Sequence, residues 1–352
     1  MRVYYYSGMQ NMIEKSGVGR AIYHQRQAAD MNGIELVDNL DDADIIHINT
    51  VFPGSLLMAL RARLKHVRVV YHAHSTREDF RNSYMGSNMF SQLFGLWIKL
   101  CYSTADVIVT PTEYSKSLLR SYGIHRQIEA VSNGIDTDYY SRDNADVSRF
   151  RQRYGYSEDD KVVMSVGLPI DRKGILDFIE LAERMPQYKF IWFGSTDMKL
   201  VPRKICRAME EKIPNLTFAG YARREQLRDA YAGSDLFLFL SKEETEGIVV
   251  LEALAMEIPI LLRDIPVYSD WLMDGKDVYK DRTLMAFEDR IEAILENKQP
   301  SLVKRGRAVT ESRKLDRVGE RLLEIYESAL LSAVVPQTGI NVSSVKSSVY
   351  RN

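Results

Sequence analysis

Short apolar runs recur along the chain, each followed by a longer stretch whose apolar positions fall at helical spacing. "VYYYS" (residues 3–7), "DIIHIN" (44–49), "VRVVYHAH" (67–74) and "DVIVTP" (106–111) read as buried strands in the first part. Thr110, Pro111 and Glu113 predict a helix start of the capping-box type for "TEYSKSLLRSYG", which closes at Gly123. A polar stretch over residues 141–161 reads as a linker with a short basic helix. Five further runs follow, "KVVMSVG", "KFIWFGS", "NLTFAGY", "DLFLFLS" and "IPILLRD", again with helical patterns between them.

Strands that are apolar throughout, separated by helices, predict parallel sheets covered on both faces. The fold class is therefore α/β, with two Rossmann-like domains whose sheets face an interdomain cleft. A length of 352 residues exceeds one ordinary core and agrees with two domains. The predicted boundaries are 1–145, 146–318, and a C-terminal helix and tail over 319–352 that packs back toward the N-terminal domain. The end of that tail, "PQTGINVSSVKSSVYRN", has weak periodicity and predicts no element.

Ligands of doubly wound sheets bind beyond the carboxyl ends of the strands, so the chemistry is sought there. After the first strand, "EKSGVGRAI" places Gly17 and Gly19 too late for a dinucleotide fingerprint. A loop whose free N–H groups meet an anion and a simple helix-capping turn are both open. His74 ends the third run with His72 two positions before it, and no further metal ligands accompany them. Asp171, Arg172 and Lys173 stand between a strand and a helix, where two cations suit a diphosphate.

"EETEGIVVLEALA" is the most informative segment. Glu252 sits inside an apolar helix, a costly place for a charge without hydrogen-bond partners. Eight residues of helix would separate it from Glu244 by about 12 Å, the span of an elongated ligand with two polar ends. The N–H groups near Gly247, Ile248 and Val249 would lie between, facing phosphate oxygens. An ion pair of Glu252 with Arg263 is the structural alternative.

Composition narrows the classes. Forty-seven basic against 48 acidic side chains give a net charge of −1, which does not favour nucleic acid as a partner. Two cysteines, Cys101 and Cys206, without CxxC, CxxH or HExxH spacing, fit a reduced compartment and no zinc site. "MRVYYYSGM" has no apolar signal core, and the apolar run at residues 93–102 is too short to span a bilayer. A cytoplasmic location, or one peripheral to the inner face of the plasma membrane, is expected.

Together these motifs resemble family 4 retaining glycosyltransferases of the GT-B fold over roughly residues 1–275. "EETEGIVVLEALA" resembles the E-x7-E signature, "SGVGRAIYHQRQAADMNG" the N-terminal glycine loop and helix, "VSNGID" the asparagine-glycine segment, and "SVG" with "KG" the diphosphate loop. The resemblance implies an N-terminal acceptor domain and a C-terminal domain that holds a nucleotide-sugar. It places Lys173 on the diphosphate, Glu244 on the sugar, Glu252 on the ribose and His74 near the anomeric carbon. Gly17 and Gly19 would approach the diphosphate from the other domain, and neither a cofactor nor a metal is implied. Leu168 stands where the family has arginine, which shifts charge neutralisation toward Arg172. Ser16, Ser132 and the core Glu244–Thr245–Glu246–Gly247 also depart from the pattern.

The opening "YYYSGM" with "KSGVGRAI" is further similar to bacterial diglycosyl-diacylglycerol synthases, which implies a UDP-glucose or UDP-galactose donor and a monoglycosyl-diacylglycerol acceptor. Residues 55–68, with basic charge on an apolar helix, and 84–102, rich in Met, Phe, Leu and Trp, suit an anionic membrane surface; covering the sheet is the alternative. Two rival readings remain at the level of sequence. DxD pairs at Asp42–Asp44 and Asp136–Asp138 would suit a metal-dependent transferase, and a sugar-nucleotide binding protein would keep the fold without turnover.

Overall fold

A computed structural model describes residues 1–9, 13 and 16–331 of the protein. It contains two six-stranded sheets, every pairing of which is parallel. The first holds β1 (Arg2–Tyr6), β2 (Glu35–Val37), β3 (Ile45–Ile48), β4 (Arg68–His72), β5 (Val107–Thr110) and β6 (Gln127–Ala130) in the order β2-β1-β3-β4-β5-β6. The second holds β7 (Val162–Val166), β8 (Lys189–Phe193), β9 (Leu216–Gly220), β10 (Leu236–Phe239), β11 (Ile260–Arg263) and β12 (Tyr279–Asp281) in the order β12-β11-β10-β7-β8-β9.

The predicted runs form the eight interior strands and β9, at one edge of the second sheet. β2, β6 and β12 escaped the periodicity because they lie at sheet edges, where "ELV", "QIEA" and "YKD" need only one covered side. In each sheet the strand order reverses once, at β1/β3 and at β7/β10. Such a reversal sends the two connecting chains to opposite faces and leaves a crevice at the strand ends.

The helix predicted after β5 begins two residues later than "TP" suggests. Its N-cap is Thr112, whose hydroxyl accepts from the Ser115 N–H at 3.2 Å, while the Ser115 hydroxyl accepts from the Thr112 N–H at 3.1 Å. Thr110 is not the cap; its hydroxyl donates to Ser115 Oγ and to the Ala73 carbonyl. The stretch read as a linker is firmly held. Phe150 of the helix Val147–Tyr154 is buried in the second core, and Arg149 pairs with buried Asp229 at 2.5 Å.

The helix Leu315–Leu331 joins the first core, packing Leu322, Ile325 and Tyr326 beside Val3, Tyr5 and Ala28. Its contact with the helix Gly17–Met31 is close enough that a Cβ at Gly319 would stand 2.2 Å from the Ala28 carbonyl oxygen. Asn32 Nδ2 donates to the Asp316 carbonyl across the same seam. The remainder of the predicted C-terminal tail lies outside the described residues.

Candidate active site

The strand ends of both sheets open on one cleft of about 350 Å³. Lys173 follows β7 and Glu244 follows β10, so the reversal in the second sheet brings together two residues 71 positions apart. Gly174, with φ 76°, ends the tight turn that carries Lys173; a Cβ there would lie 2.3 Å from the Leu240 carbonyl oxygen, so glycine is required. The Lys173 ammonium is ion-paired with the Glu244 carboxylate and lies 5.5 Å from the centre of the Phe239 ring. Burial alone would raise the Glu244 carboxyl, but Lys173 and Arg172 outweigh it and hold the group below its usual range.

Gly247, at φ 89°, begins the helix Ile248–Ala255, whose first turn faces the cleft. The N–H groups of Ile248 and Val249 have no acceptor among the described residues, which leaves a positive helix terminus beside the Lys173–Glu244 pair. Glu252 lies one turn further along. Its partners are hydroxyls, not Arg263: Tyr140 donates to Oε1 at 2.6 Å and Tyr231 to Oε2 at 3.0 Å. Arg263 is instead paired with Asp177 at 2.5 Å, with its Nε on the Leu240 carbonyl. The proposed ion pair fails because Arg263 ends β11 and turns toward Asp177 of the helix Ile175–Arg184.

From the first sheet come Gly17 and His74. A Cβ at Gly17 would meet nothing within 4 Å, so the absent side chain leaves open space in the cleft wall. Gly19 is not among the lining residues, and its N–H is used by the Ser16 hydroxyl at 3.3 Å. His74 Nε2 contacts Asn49 Oδ1 at 2.9 Å, and burial pushes the imidazole down to about 3. A neutral ring whose Nε2–H donates to Asn49 presents Nδ1 as an acceptor.

Arg172 lines the cleft yet is largely engaged elsewhere. Its Nη1 pairs with Asp79 at 2.7 Å, its Nε donates to Ser83 at 2.9 Å, and its N–H donates to the Asn82 carbonyl at 3.0 Å. The expected transfer of diphosphate neutralisation to Arg172 therefore meets a guanidinium that already ties the two halves together. Burial works against its charge, and Asp79 and Glu244 overcome that.

The loop before Gly247 does similar work. Tyr114 donates to Glu243 Oε1 at 2.8 Å, Thr112 Oγ1 to the Thr245 carbonyl at 2.8 Å, and Asn133 to Glu246 Oε2 through its backbone N–H and its amide. Glu243, Thr245 and Glu246 thus reach the N-terminal half while Glu244 points to Lys173. This explains the departure at Glu246, a buried carboxylate whose Oε2 is held from across the cleft. Sequence reasoning missed Tyr140 and Tyr231, and also Arg20, which lines the cleft and donates to the Tyr140 hydroxyl at 3.3 Å. Asn133 of "VSNGID" marks this segment in the sequence but carries no indication of its partner Glu246.

Neither DxD pair lines the cleft: Asp44 is bonded to Arg2, and Asp136 accepts from the Tyr139 N–H. Among the described residues no group of three or more His, Cys, Asp or Glu side chains is placed to hold a metal ion.

Comparison with known proteins agrees with this architecture. Residues 16–139 match the family model "Glycosyltransferase Family 4", and residues 146–314 match "Glycosyl transferases group 1". The chain is 38% identical over 332 residues to the processive diacylglycerol alpha-glucosyltransferase of Acholeplasma laidlawii, covering 94% of this chain and 99% of that protein. It is 28% identical over 322 residues to the alpha-galactosylglucosyldiacylglycerol synthase of Streptococcus pneumoniae, covering 88% of this chain and 83% of the other. The crystal structure of Anabaena HepE with UDP-glucose superposes with a TM-score of 0.73 at 15% identity, over 93% of this chain and 100% of that one. With two facing parallel sheets and relatives that span nearly its whole length, the chain belongs to the GT-B glycosyltransferases of the group 1 and family 4 type.

Proposed function

We propose that the protein moves a glucose or galactose from a UDP-sugar to a membrane glycolipid, such as a monoglycosyl-diacylglycerol, with retention at the anomeric carbon. The observation that carries this reading is the Lys173–Glu244 pair beside the unbonded N–H groups of Ile248 and Val249, with Glu252 further along the same cleft. The donor is a substrate, and no cofactor or metal takes part.

In this reading the diphosphate lies against Lys173 and the helix terminus. Departure of the nucleoside diphosphate concentrates negative charge there, and preorganised donors stabilise that charge more in the transition state than in the ground state. Glu244 accepts from a sugar hydroxyl and Glu252 from the ribose, while Gly17 makes room for the phosphates. His74 lies beside the anomeric carbon. The carboxylates that line the cleft are each already held, Asp79 by Arg172, Glu244 by Lys173 and Glu252 by two tyrosines. None is presented as a free nucleophile, which favours attack by the acceptor on the face the diphosphate leaves.

A lipid acceptor is supported by the relatives' names and by the surface of the N-terminal half. The helix Ser87–Ser103 buries Ile98, Cys101 and Tyr102 but turns Met89, Phe90, Leu93 and Leu96 outward, each more than half exposed. The helix Pro53–Leu64 exposes Leu57 and Leu64, and Arg63 ties its end to the Thr104 carbonyl beyond the first helix. Both helices cover the sheet and still leave these apolar side chains exposed, with Arg61 in the last turn of the second helix, a combination that suits an anionic bilayer. Among the described residues no helix is long and apolar enough to cross a membrane, so contact at the surface is the mode proposed.

The deciding experiment offers purified protein labelled UDP-glucose or UDP-galactose with vesicles that contain monoglucosyl-diacylglycerol. Formation of a diglycosyl lipid with an α-linkage is expected. Transfer only to water or to soluble sugars would overturn the acceptor assignment.

A further inference from the structure

Three buried histidines run back from the cleft toward the C-terminal helix. The rings of His74 and His72 are stacked with centroids 4.2 Å apart at 7°, and those of His72 and His47 are 5.3 Å apart at 14°. His47 lies on β3, His72 on β4, and His74 two residues beyond it. We propose that Tyr326, on the helix Leu315–Leu331, is a positioning residue for His74, acting through His47 and His72. The proposal rests on the reading of His74 as a residue of the sugar-transfer site.

The hydrogen bonds give the column a direction. The Gln25 amide nitrogen donates to His72 Nδ1 at 3.0 Å, so that nitrogen is an acceptor. His47 Nε2 stands 3.2 Å from the same atom and must supply its proton. Burial keeps His47 down at about 3 and His72 well below its usual value, so each ring carries a single N–H. His47 Nδ1 is then an acceptor, and the Tyr326 hydroxyl, 2.5 Å away, is its donor. The Tyr5 hydroxyl completes the sequence by donating to Tyr326 at 2.8 Å.

Tyr326 at one end and Gln25 at the other thereby fix the tautomers of His47 and His72, and His72 is the ring against which His74 stacks. The second restraint on His74 is Asn49 Oδ1, which takes the Nε2 proton. His74 Nδ1 is left without a partner among the described residues, at the wall of the cleft. Removing the Tyr326 hydroxyl leaves His47 Nδ1 without its donor and loosens the platform beneath His74 without touching the cleft itself. The placement joins the last described helix to a residue of the N-terminal strand ends.

The test compares Tyr326→Phe, which keeps the ring and its packing, with His74→Ala and Tyr5→Phe. In protein labelled with nitrogen-15 histidine, whose six imidazoles can be resolved by NMR, Tyr326→Phe is expected to shift the ring nitrogens of both His47 and His74. Turnover in sugar transfer should fall roughly tenfold, the scale of a mispositioned group, with the donor KM within about twofold. Tyr5→Phe leaves Tyr326 free to donate to His47 and should turn over like the wild type. Full activity in His74→Ala would remove the reading of the site itself. An inactive His74→Ala beside a Tyr326→Phe variant with wild-type turnover and unmoved His74 signals would overturn this proposal alone. If Tyr326→Phe loses thermal stability and turnover together, Tyr5→Phe decides, since an equal loss of turnover there also overturns it.

Discussion

The Tyr140 hydroxyl donates to Glu252 Oε1 across 112 positions of sequence, at 2.6 Å. That bond, with the one from Tyr231, makes a carboxylate tolerable on an apolar helix. Removing a donor from a buried charged acceptor costs about 1–3 kcal/mol, so Tyr140→Phe should lower stability by that amount in urea unfolding. The donor KM should rise as well, because Glu252 loses the partner that holds it facing the cleft.

Lys173→Ala and Glu244→Ala are expected to lower turnover at least about 100-fold, the scale for loss of a group that meets developing charge. Each single change also strands a buried charge. The Lys173→Met/Glu244→Gln pair removes both, and should unfold at a higher urea concentration than either single variant while remaining inactive. Near wild-type turnover in both alanine variants would refute their placement at the donor.

Transfer should persist unchanged in EDTA. The charge that a divalent cation would neutralise is assigned to Lys173 and a helix terminus, and the DxD pairs lie away from the cleft. A loss of activity restored by Mg²⁺ or Mn²⁺ would contradict the assignment.

Glu243 supplies a pH dependence. Burial first, and then Asp79, Glu78 and Glu244, push its carboxyl from 4.5 up to about 7, against the opposing hydrogen bond from Tyr114. A raised acid binds more protons when folded than when unfolded, so stability falls as pH rises from about 4.5 to 7. Glu243→Gln keeps an acceptor for Tyr114 and removes the titration. Thermal unfolding should show the variant gaining on the wild type through that window, and equal slopes would contradict the expectation.

The outward face of the helix Ser87–Ser103 predicts binding to bilayers. Burying a leucine contributes about 1.5–3 kcal/mol, so Leu93→Glu/Leu96→Glu should weaken sedimentation with anionic vesicles by tenfold or more. Activity on acceptor presented in detergent should survive. Equal vesicle binding by the variant would place the membrane contact elsewhere.

Periodicity was enough to find the interior strands and β9, and the strand-end rule placed Lys173 and His74 at the wall of the cleft, as the eight-residue spacing from Glu252 did Glu244. These residues follow runs of buried side chains whose pattern is local. The partners were not legible for the opposite reason. Glu252 could be recognised as a costly charge, yet Arg263, the nearby cation, was the wrong partner, and Tyr140 and Tyr231 lie in separate elements with no spacing that links them. Likewise "DRK" announced two cations, but only the packing of Asp79 and Ser83 reveals that Arg172 faces the other half. Short polar edge strands such as β12 carry too little apolar patterning to stand out.

The loop from Glu243 to Glu246 fastens the C-terminal half to the N-terminal one. Widening of the cleft would part the bonds to Tyr114, Thr112 and Asn133 together, each contributing about 0.5–3 kcal/mol. The same motion displaces Glu244, which is covalently between them. Any separation of the halves would therefore be felt at Glu244, because the residues that join the halves and the residue proposed to meet the sugar are one piece of backbone.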